Sequence, residues 1–230
     1  MVTGGSRGIG LAIARTLAHE GASLVLVARD RELLARAVEQ IDGGAVAVAA
    51  DVTRPADVKR LFAMVRRRYR RLDVLVNNAG AFTYKPFERT TLEDWQRNIE
   101  TNLTSLFLTT QAALPLFGRS RSQPNGHVVN IASISSRKAF PNCSAYCASK
   151  FGALGFTRVL AEELRSRRIR VTAVLPGSTN TRMSDEFEFP VDHAQLVQPE
   201  DVAQAVLTAV MVPCRANLDE ILITPSSGQL

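Results

Sequence analysis

The sequence predicts an α/β protein built on a doubly wound parallel sheet with helices on both faces, in a single domain. Three observations carry that reading. Short β-branched runs alternate with longer amphipathic segments from one end of the chain to the other. Most of the runs are apolar on both faces, as strands covered above and below must be. A glycine-rich turn opens the chain between a few apolar residues and a helical pattern, the arrangement in which a strand hands over to a helix.

The opening MVTGGSRGIG leaves only Met1, Val2 and Thr3 for the first strand, against about five or six residues in an ordinary one. The first strand is therefore expected to be truncated and the chain to be an N-terminally shortened form. In the doubly wound order that strand lies between the second and fourth. Its neighbours are thus expected to lose backbone partners, and the Met1 amino group to lie near the sheet interior. Further strands are expected at Ser23 to Ala28, Ala45 to Ala50, Leu72 to Asn77, His127 to Ala132, Arg170 to Leu175 and Glu220 to Thr224. Helical patterns run from Gly8 to Glu20, Arg31 to Ile41, Pro55 to Tyr69, Leu92 to Phe117, Ser144 to Ser166 and Pro199 to Val210. Pro55 and Pro199 stand where a first helical turn accepts proline, and Asp30 and Thr53 where N-caps belong. No linker, repeat or low-complexity tract interrupts the pattern, so residues 1–230 are read as one domain.

Composition narrows the function classes. Hydrophobic residues make up 46% and charged residues 22%, the balance of a folded globular domain and not of a disordered chain. No apolar run approaches the roughly 18 residues of a membrane-spanning helix. Cys143, Cys147 and Cys214 are odd in number and share no metal-ligand spacing with His19, His127 and His193, which points to reduced thiols, no metal site and a reducing compartment. The cytoplasm is expected. The mitochondrial matrix is the alternative, because Arg7 and Arg15 precede the first acid, Glu20. The net charge of +6 comes largely from the runs at 66–71 and 165–170, each closing a helical pattern, where the backbone dipole favours cations. No stacking platform or recognition motif accompanies the charge, so nucleic acid is not an expected partner.

Gly4, Gly8 and Gly10 give the opening turn the spacing T-G-x-x-x-G-x-G, in which absent side chains let the backbone curl tightly and a pyrophosphate approach the helix N-terminus. Further along come ADV (50–52), NNAG (77–80), Asn102 in TNLTSLF, Ser133 in NIASIS, YCASK (146–150) and PGSTNT (176–181). In this order the set resembles the short-chain dehydrogenase/reductase family over essentially the whole chain. The resemblance implies a Rossmann-like fold and a dinucleotide held in the opening turn by Gly4, Ser6, Arg7, Gly8, Ile9 and Gly10. It implies further cofactor contacts from Arg29, from Asp51 and Val52 at the adenine, from Asn77, Ala79 and Gly80, and from Pro176, Gly177, Thr179 and Thr181. The catalytic set it implies is Asn102, Ser133, Tyr146 and Lys150. Tyr146 and Lys150 also contact the cofactor, Lys150 through the nicotinamide ribose, and Asn102 holds a water that relays protons to Lys150. In relatives the helices at 92–117 and 144–166 form a four-helix contact, so a homodimer or homotetramer is expected.

The chemistry of these residue types agrees. Tyr146 and Lys150 stand at i and i+4 of one helix and share a face. A phenol titrates near 10, and an adjacent ammonium is expected to lower it, making Tyr146 a general acid in carbonyl reduction and a base in the reverse direction. Ser133 can donate a hydrogen bond to the substrate oxygen as charge develops there. Hydride must come from a nicotinamide, since no side chain supplies one. Read singly, Tyr146 is a packed aromatic, Ser133 a turn former and Asn102 a solvated helix residue; their joint order and spacing favour catalysis. Cys143 and Cys147 are read as small core residues.

Cofactor choice rests on the tip of the second strand. An NAD enzyme of this type carries an acid there, which accepts from both ribose hydroxyls and repels a 2′-phosphate. The position is Ala28, followed by Arg29, with Arg7 in the glycine turn. Two guanidiniums converging on a phosphate favour NADP(H). Asp30 on the ribose is the alternative, but it falls two positions late and suits a helix cap. The expected reaction is reduction of a small ketone or aldehyde, or the reverse oxidation of an alcohol. The stretch DEFEFPVDH (185–193) is read as a short lid over an open pocket. A noncatalytic NADPH-binding sensor and a 3-oxoacyl-carrier-protein reductase are the alternatives. The second is weakened by an ending ITPSSGQL (223–230), where such reductases commonly carry a V-D-G-G type sequence.

Overall fold

In the computed structural model, which describes residues 1–41, 43–118, 124–183 and 192–228, seven parallel strands lie side by side. They are β1 (Val2–Thr3), β2 (Leu24–Ala28), β3 (Ala45–Ala49), β4 (Val74–Asn77), β5 (Gly126–Ile131), β6 (Ile169–Pro176) and β7 (Glu220–Ile223). Their order across the sheet is β3-β2-β1-β4-β5-β6-β7, the doubly wound order read from the sequence. The strand order reverses between β1 and β4, which leaves a crevice beyond their C-terminal ends.

The helices divide between the two faces. α1 (Gly8–His19), α2 (Arg31–Glu39) and α7 (Pro199–Met211) cover one; α3 (Pro55–Tyr69), α5 (Ser105–Ala113) and α6 (Ser144–Arg165) cover the other, with α4 (Leu92–Ile99) against α6. Val2, Leu26, Val76, Val129 and Val174 pack on the first side with Ile13, Leu17, Val202 and Val206. Val25, Val27, Leu75, Val128 and Val171 pack on the second with Leu61, Val65, Leu160 and Leu164. Alternate residues of a strand thus serve opposite cores, which is why the runs read as apolar throughout. Among the described residues no helix is long and apolar enough to cross a membrane.

The long helix expected from Leu92 to Phe117 is interrupted and shorter. α4 and α5 are joined by a π-helical turn, Glu100–Thr104, and α5 stops at Ala113, with Leu114 still in helical backbone as its C-cap, because Pro115 lacks the N–H that would continue the ladder. Asp30 caps α2 as expected, its Oδ1 accepting from the N–H groups of Glu32 and Leu33 at 3.0 Å each. Thr53 does not cap α3. Arg54 takes the N-cap place, while the N–H and hydroxyl of Thr53 both donate to Asp51. The eight residues 184–191 lie outside the described part, and most of the stretch read as a lid falls there.

β1 is two residues long and central, pairing Val2 with Leu26 and with Val76. The expected loss of partners does not occur at Val74 and Val76. The Met1 carbonyl accepts from Val76 N–H at 2.8 Å, and the Met1 amino group donates to the Val74 carbonyl at 2.8 Å. That amino group is buried, as expected, and desolvation pulls its pKa down to about 5.

A buried histidine sits where β5 meets β6. Nε2 of His127 lies 2.8 Å from Thr172 Oγ1, and Nδ1 is buried without a partner among the described residues. Burial, and secondarily the charge of Arg170, pulls its pKa down from 6.5 to about 3. The unfolded chain therefore takes up a proton below about 6.5 that the folded chain refuses until about 3. The stabilisation is complete above this window and is lost as pH falls through it, by up to about 1.4 kcal/mol per pH unit. Urea unfolding followed from neutral to acid pH is expected to show a steeper loss for the parent than for His127→Gln, which keeps a polar group beside Thr172 and does not titrate. Equal slopes would remove His127 as the cause.

Candidate active site

The crevice is built first from β1 and β4. Thr3 Oγ1 accepts from the N–H groups of Asn78 (3.0 Å) and Ala79 (3.1 Å), and Asn78 Nδ2 donates to the carbonyls of Thr3 (3.1 Å) and Gly4 (3.2 Å). This knot brings the glycine turn against the end of β4 so closely that a Cβ on Gly10 would lie 2.3 Å from Gly4 O and 2.4 Å from Asn78 Nδ2. Only glycine fits there. Gly8 has φ +52° and faces Thr181, whose Cγ2 would lie 3.4 Å from an added Cβ, so the turn and the segment after β6 form two sides of one cradle. Gly177 N–H donates to Ile223 O at 2.7 Å and Thr179 Oγ1 to Gly177 O at 3.0 Å, which anchors Pro176 and the loop it starts.

The cradle suits an anion. Arg7, the N-cap of α1, makes no side-chain cap, and the first turn from Gly8 through Ile9 to Gly10 holds no acid, so its N–H groups are open to a phosphate. Arg7 and Arg29 are both exposed, Ser6 is half-buried beside Arg7, and Ala28 ends β2 with no carboxylate. At the end of β3, Asp51 Oδ1 accepts from Thr53 N–H (3.0 Å) and hydroxyl (2.7 Å), while Oδ2 has Arg54 Nε at 3.9 Å. One carboxylate oxygen thus remains for an amino group, next to the buried Val52.

Asn77 is different. Its amide is buried and donates to Asn130 Oδ1 (2.9 Å) and Thr110 Oγ1 (3.2 Å), and its Oδ1 accepts from Thr109 Oγ1 (2.8 Å). Both amide hydrogens and one acceptor position of the oxygen join β4 to β5 and α5, so the Asn77 side chain serves the packing of the sheet. Asn78, which the sequence reading passed over, shapes the cradle instead. Its signal was the doubled asparagine, of which adjacent strand positions must point to opposite sides. Ala79 and the exposed Gly80 carry the backbone past the crevice.

Four expected catalytic residues lie around the next strand ends. Ser133 follows β5, and its Oγ accepts from Ser135 N–H at 3.1 Å. Tyr146 and Lys150 lie one turn apart on α6, both buried. Burial pushes the Tyr146 phenol up to about 12, with a hydrogen bond to Ser133 pulling the other way. Burial also pulls the Lys150 ammonium down to about 8. Lys150 Nζ donates to Ile131 O at 3.0 Å and lies 5.7 Å from the centroid of the Tyr146 ring. The expected lowering of the phenol by the ammonium is therefore outweighed: Lys150 is held by a carbonyl near the ring, and both groups are desolvated.

Asn102 sits in the π turn. Its Oδ1 accepts from Ala81 N–H (2.8 Å), and its Nδ2 donates to Ala81 O (2.8 Å) and Ser149 Oγ (2.9 Å). It ties the segment after β4 to α6, next to Lys150. Cys143 and Cys147 are buried beside Tyr146, and burial pushes the Cys143 thiol up to about 11, which fits their reading as core residues.

A family model described as short chain dehydrogenase matches residues 1–192. A sepiapterin reductase of Chlorobaculum tepidum is 35% identical over 240 aligned positions, covering 100% of this chain and 97% of the relative. An uncharacterised oxidoreductase of Staphylococcus saprophyticus is 32% identical over 229 positions, covering 98% of this chain and 96% of the relative. Among solved structures, a metagenomic short-chain oxidoreductase in complex with NADP superposes with a TM-score of 0.84 at 33% identity, covering 98% of this chain and 95% of its own. Fold, glycine cradle and relatives agree, and the chain belongs to the short-chain dehydrogenase family of oxidoreductases.

Proposed function

We propose that this oxidoreductase uses NADP(H) to interconvert a small ketone or aldehyde and its alcohol, with Tyr146, Ser133, Lys150 and Asn102 as its catalytic set. The observation that carries the reading is the buried Tyr146, with Lys150 Nζ 5.7 Å from its ring centroid and Ser133 near enough to favour its ionised form, beside a cradle shaped for a dinucleotide. When bound, the nicotinamide supplies the hydride. Ser133 orients the carbonyl oxygen through its hydroxyl, and Tyr146 Oη hands it a proton as negative charge develops. A phenol near 12 remains protonated at neutral pH, so it serves as the acid of the reducing direction. Lys150, near 8, exchanges protons close to neutrality and reloads the tyrosine. The side-chain amide of Asn102 is committed to Ala81 and Ser149, so the carbonyl of its main chain is what remains to hold a relay water.

The preference for NADP(H) is supported by Arg7 and Arg29 flanking an acid-free strand tip and by the NADP held by the metagenomic relative. The free cysteines, two of them buried, support a reducing compartment such as the cytoplasm. Trp95, Phe107, Phe151 and Val159 on α4, α5 and α6 are each more than two-fifths exposed, an apolar surface that supports a homodimer or homotetramer through these helices.

The proton donor is tested with a panel of carbonyl compounds, following NADPH oxidation by absorbance. Tyr146→Phe is expected to lose at least about a hundredfold in turnover while NADPH affinity stays nearly unchanged. Near-normal turnover would sink the assignment.

Cofactor choice is read by titration. Arg29→Ala is expected to weaken NADPH by about 1.5 to 3 kcal/mol, the scale of a charge-assisted hydrogen bond, and to leave NADH much less affected. Equal losses for the two cofactors would refute the phosphate contact.

Assembly is read by light scattering at micromolar concentration, where a dimer or tetramer is expected. A monomer would contradict the helical contact.

A further inference from the structure

Four polar side chains from α4 and the π turn reach one short segment, and the mechanism uses only one of them. Asp94, Asn98 and Asn102 recur every fourth residue, with Arg97 beside Asn98. Asn102 takes both backbone groups of Ala81. Arg97 Nη2 donates to Phe82 O (3.0 Å) and to Thr83 Oγ1 (2.8 Å), and Asn98 Nδ2 donates to the same hydroxyl (2.7 Å). Asp94 Oδ2 accepts from Lys85 Nζ at 2.7 Å, and that bond, with the contacts to Thr91, holds the Asp94 carboxyl down at about 2. Lys85 N–H in turn donates to Asn142 O (2.8 Å), in the loop that leads into α6. The chain from Ala81 to Lys85 is therefore fastened on both sides, to α4 and to the approach to Tyr146.

What this segment carries inward is Phe82. Its ring centroid lies 4.8 Å from that of Tyr146 at an interplanar angle of 85°, and both residues are buried. An edge-to-face contact of this kind is attractive and directional. Tyrosine Oη lies on the Cβ–Cγ axis, so turning the ring about χ2 does not move it; where the hydroxyl sits is set by χ1 within its staggered well and by what lies against the ring. Asn98 and Thr83 are buried as well, and burying polar groups there costs desolvation that apolar residues would avoid. Their hydrogen bonds supply a fixed backbone position for Phe82.

We propose that Arg97, Asn98 and Thr83 are positioning residues: they hold Phe82 so that its ring fixes the Tyr146 ring in the orientation that proton transfer requires. The proposal rests on the catalytic reading of Tyr146 given above. A small displacement at the reacting atoms, caused from outside the site, suffices to cost about a hundredfold in rate.

The test is ring NMR on the full chain labelled at its three tyrosines, Tyr69, Tyr84 and Tyr146, with the Tyr146 signals identified by their absence from Tyr146→Phe. Phe82→Leu removes the neighbouring ring and defines the direction in which the Tyr146 signals move. Arg97→Met and the milder Thr83→Val keep Phe82, and both are expected to move the Tyr146 signals in that same direction while Tyr69 stays in place. Alongside, turnover of 1-phenyl-1,2-propanedione with NADPH is expected to fall about ten- to hundredfold in both variants, with NADPH affinity changed by less than about twofold. The double variant Arg97→Met, Phe82→Leu is expected to lose no more than Phe82→Leu alone. Tyr146 signals unmoved in both Arg97→Met and Thr83→Val, or losses that multiply in the double variant, overturn the proposal. If the diketone is not turned over, the NMR shifts decide alone. Moved signals together with near-parent turnover in Tyr146→Phe would identify the catalytic reading, and not the clamp, as the error.

Discussion

The closeness of β1 to β4 at their C-terminal ends is the constraint on which the crevice depends. Thr3 offers one hydroxyl oxygen to two successive N–H groups, and Asn78 returns two hydrogen bonds to the carbonyls of Thr3 and Gly4. Each bond is modest by itself, about 0.5 to 1.5 kcal/mol net, but they converge where a short central strand provides little ladder. The result is a turn folded so tightly onto its neighbour that Gly10 has no room for a side chain. The N-terminus of α1 then points its N–H groups into the crevice without a cap of its own.

A second set of polar groups, inside the protein, keeps the strands beyond that knot in register. Asn77 and Asn130 meet across β4 and β5, and Thr109, Thr110 and Thr157 add further hydrogen bonds to them from α5 and α6. Such a network is tolerable in an apolar core only when each member finds its partner. Here the partners come from four different elements, so the network specifies how the helices lie on the sheet. Ser133, at the end of β5, and Tyr146, on α6, inherit their relative position from it.

Burial then sets the electrostatics of the site. It acts in opposite directions on the two titrating groups, raising the phenol of Tyr146 to about 12 and lowering the ammonium of Lys150 to about 8. Both shifts favour the neutral form, because charge is poorly solvated between α6 and the strand ends. In the proposed reaction a protonated tyrosine would act as donor and a lysine near neutrality as its reservoir, a different division of labour from a lysine that simply acidifies its neighbour.

Much of this protein was legible in the chain itself. Alternation of apolar runs with amphipathic segments determined the doubly wound sheet, since a parallel strand needs covering on both faces and a helix on only one. The spacing of Gly4, Gly8 and Gly10 and the order of Ser133, Tyr146 and Lys150 marked the crevice before its geometry was known, because local backbone shape and i, i+4 adjacency are properties of sequence. Other features required the tertiary structure. The two adjacent asparagines look alike in sequence, yet the pleat turns Asn77 into the core and Asn78 onto the glycine turn. The π turn at Glu100–Thr104 breaks no periodicity that a helical pattern would register. Whether Lys150 or burial governs the Tyr146 phenol depends on where an ammonium comes to rest and how much water the fold excludes. Those are sums over residues distant in the chain, and no local spacing contains them.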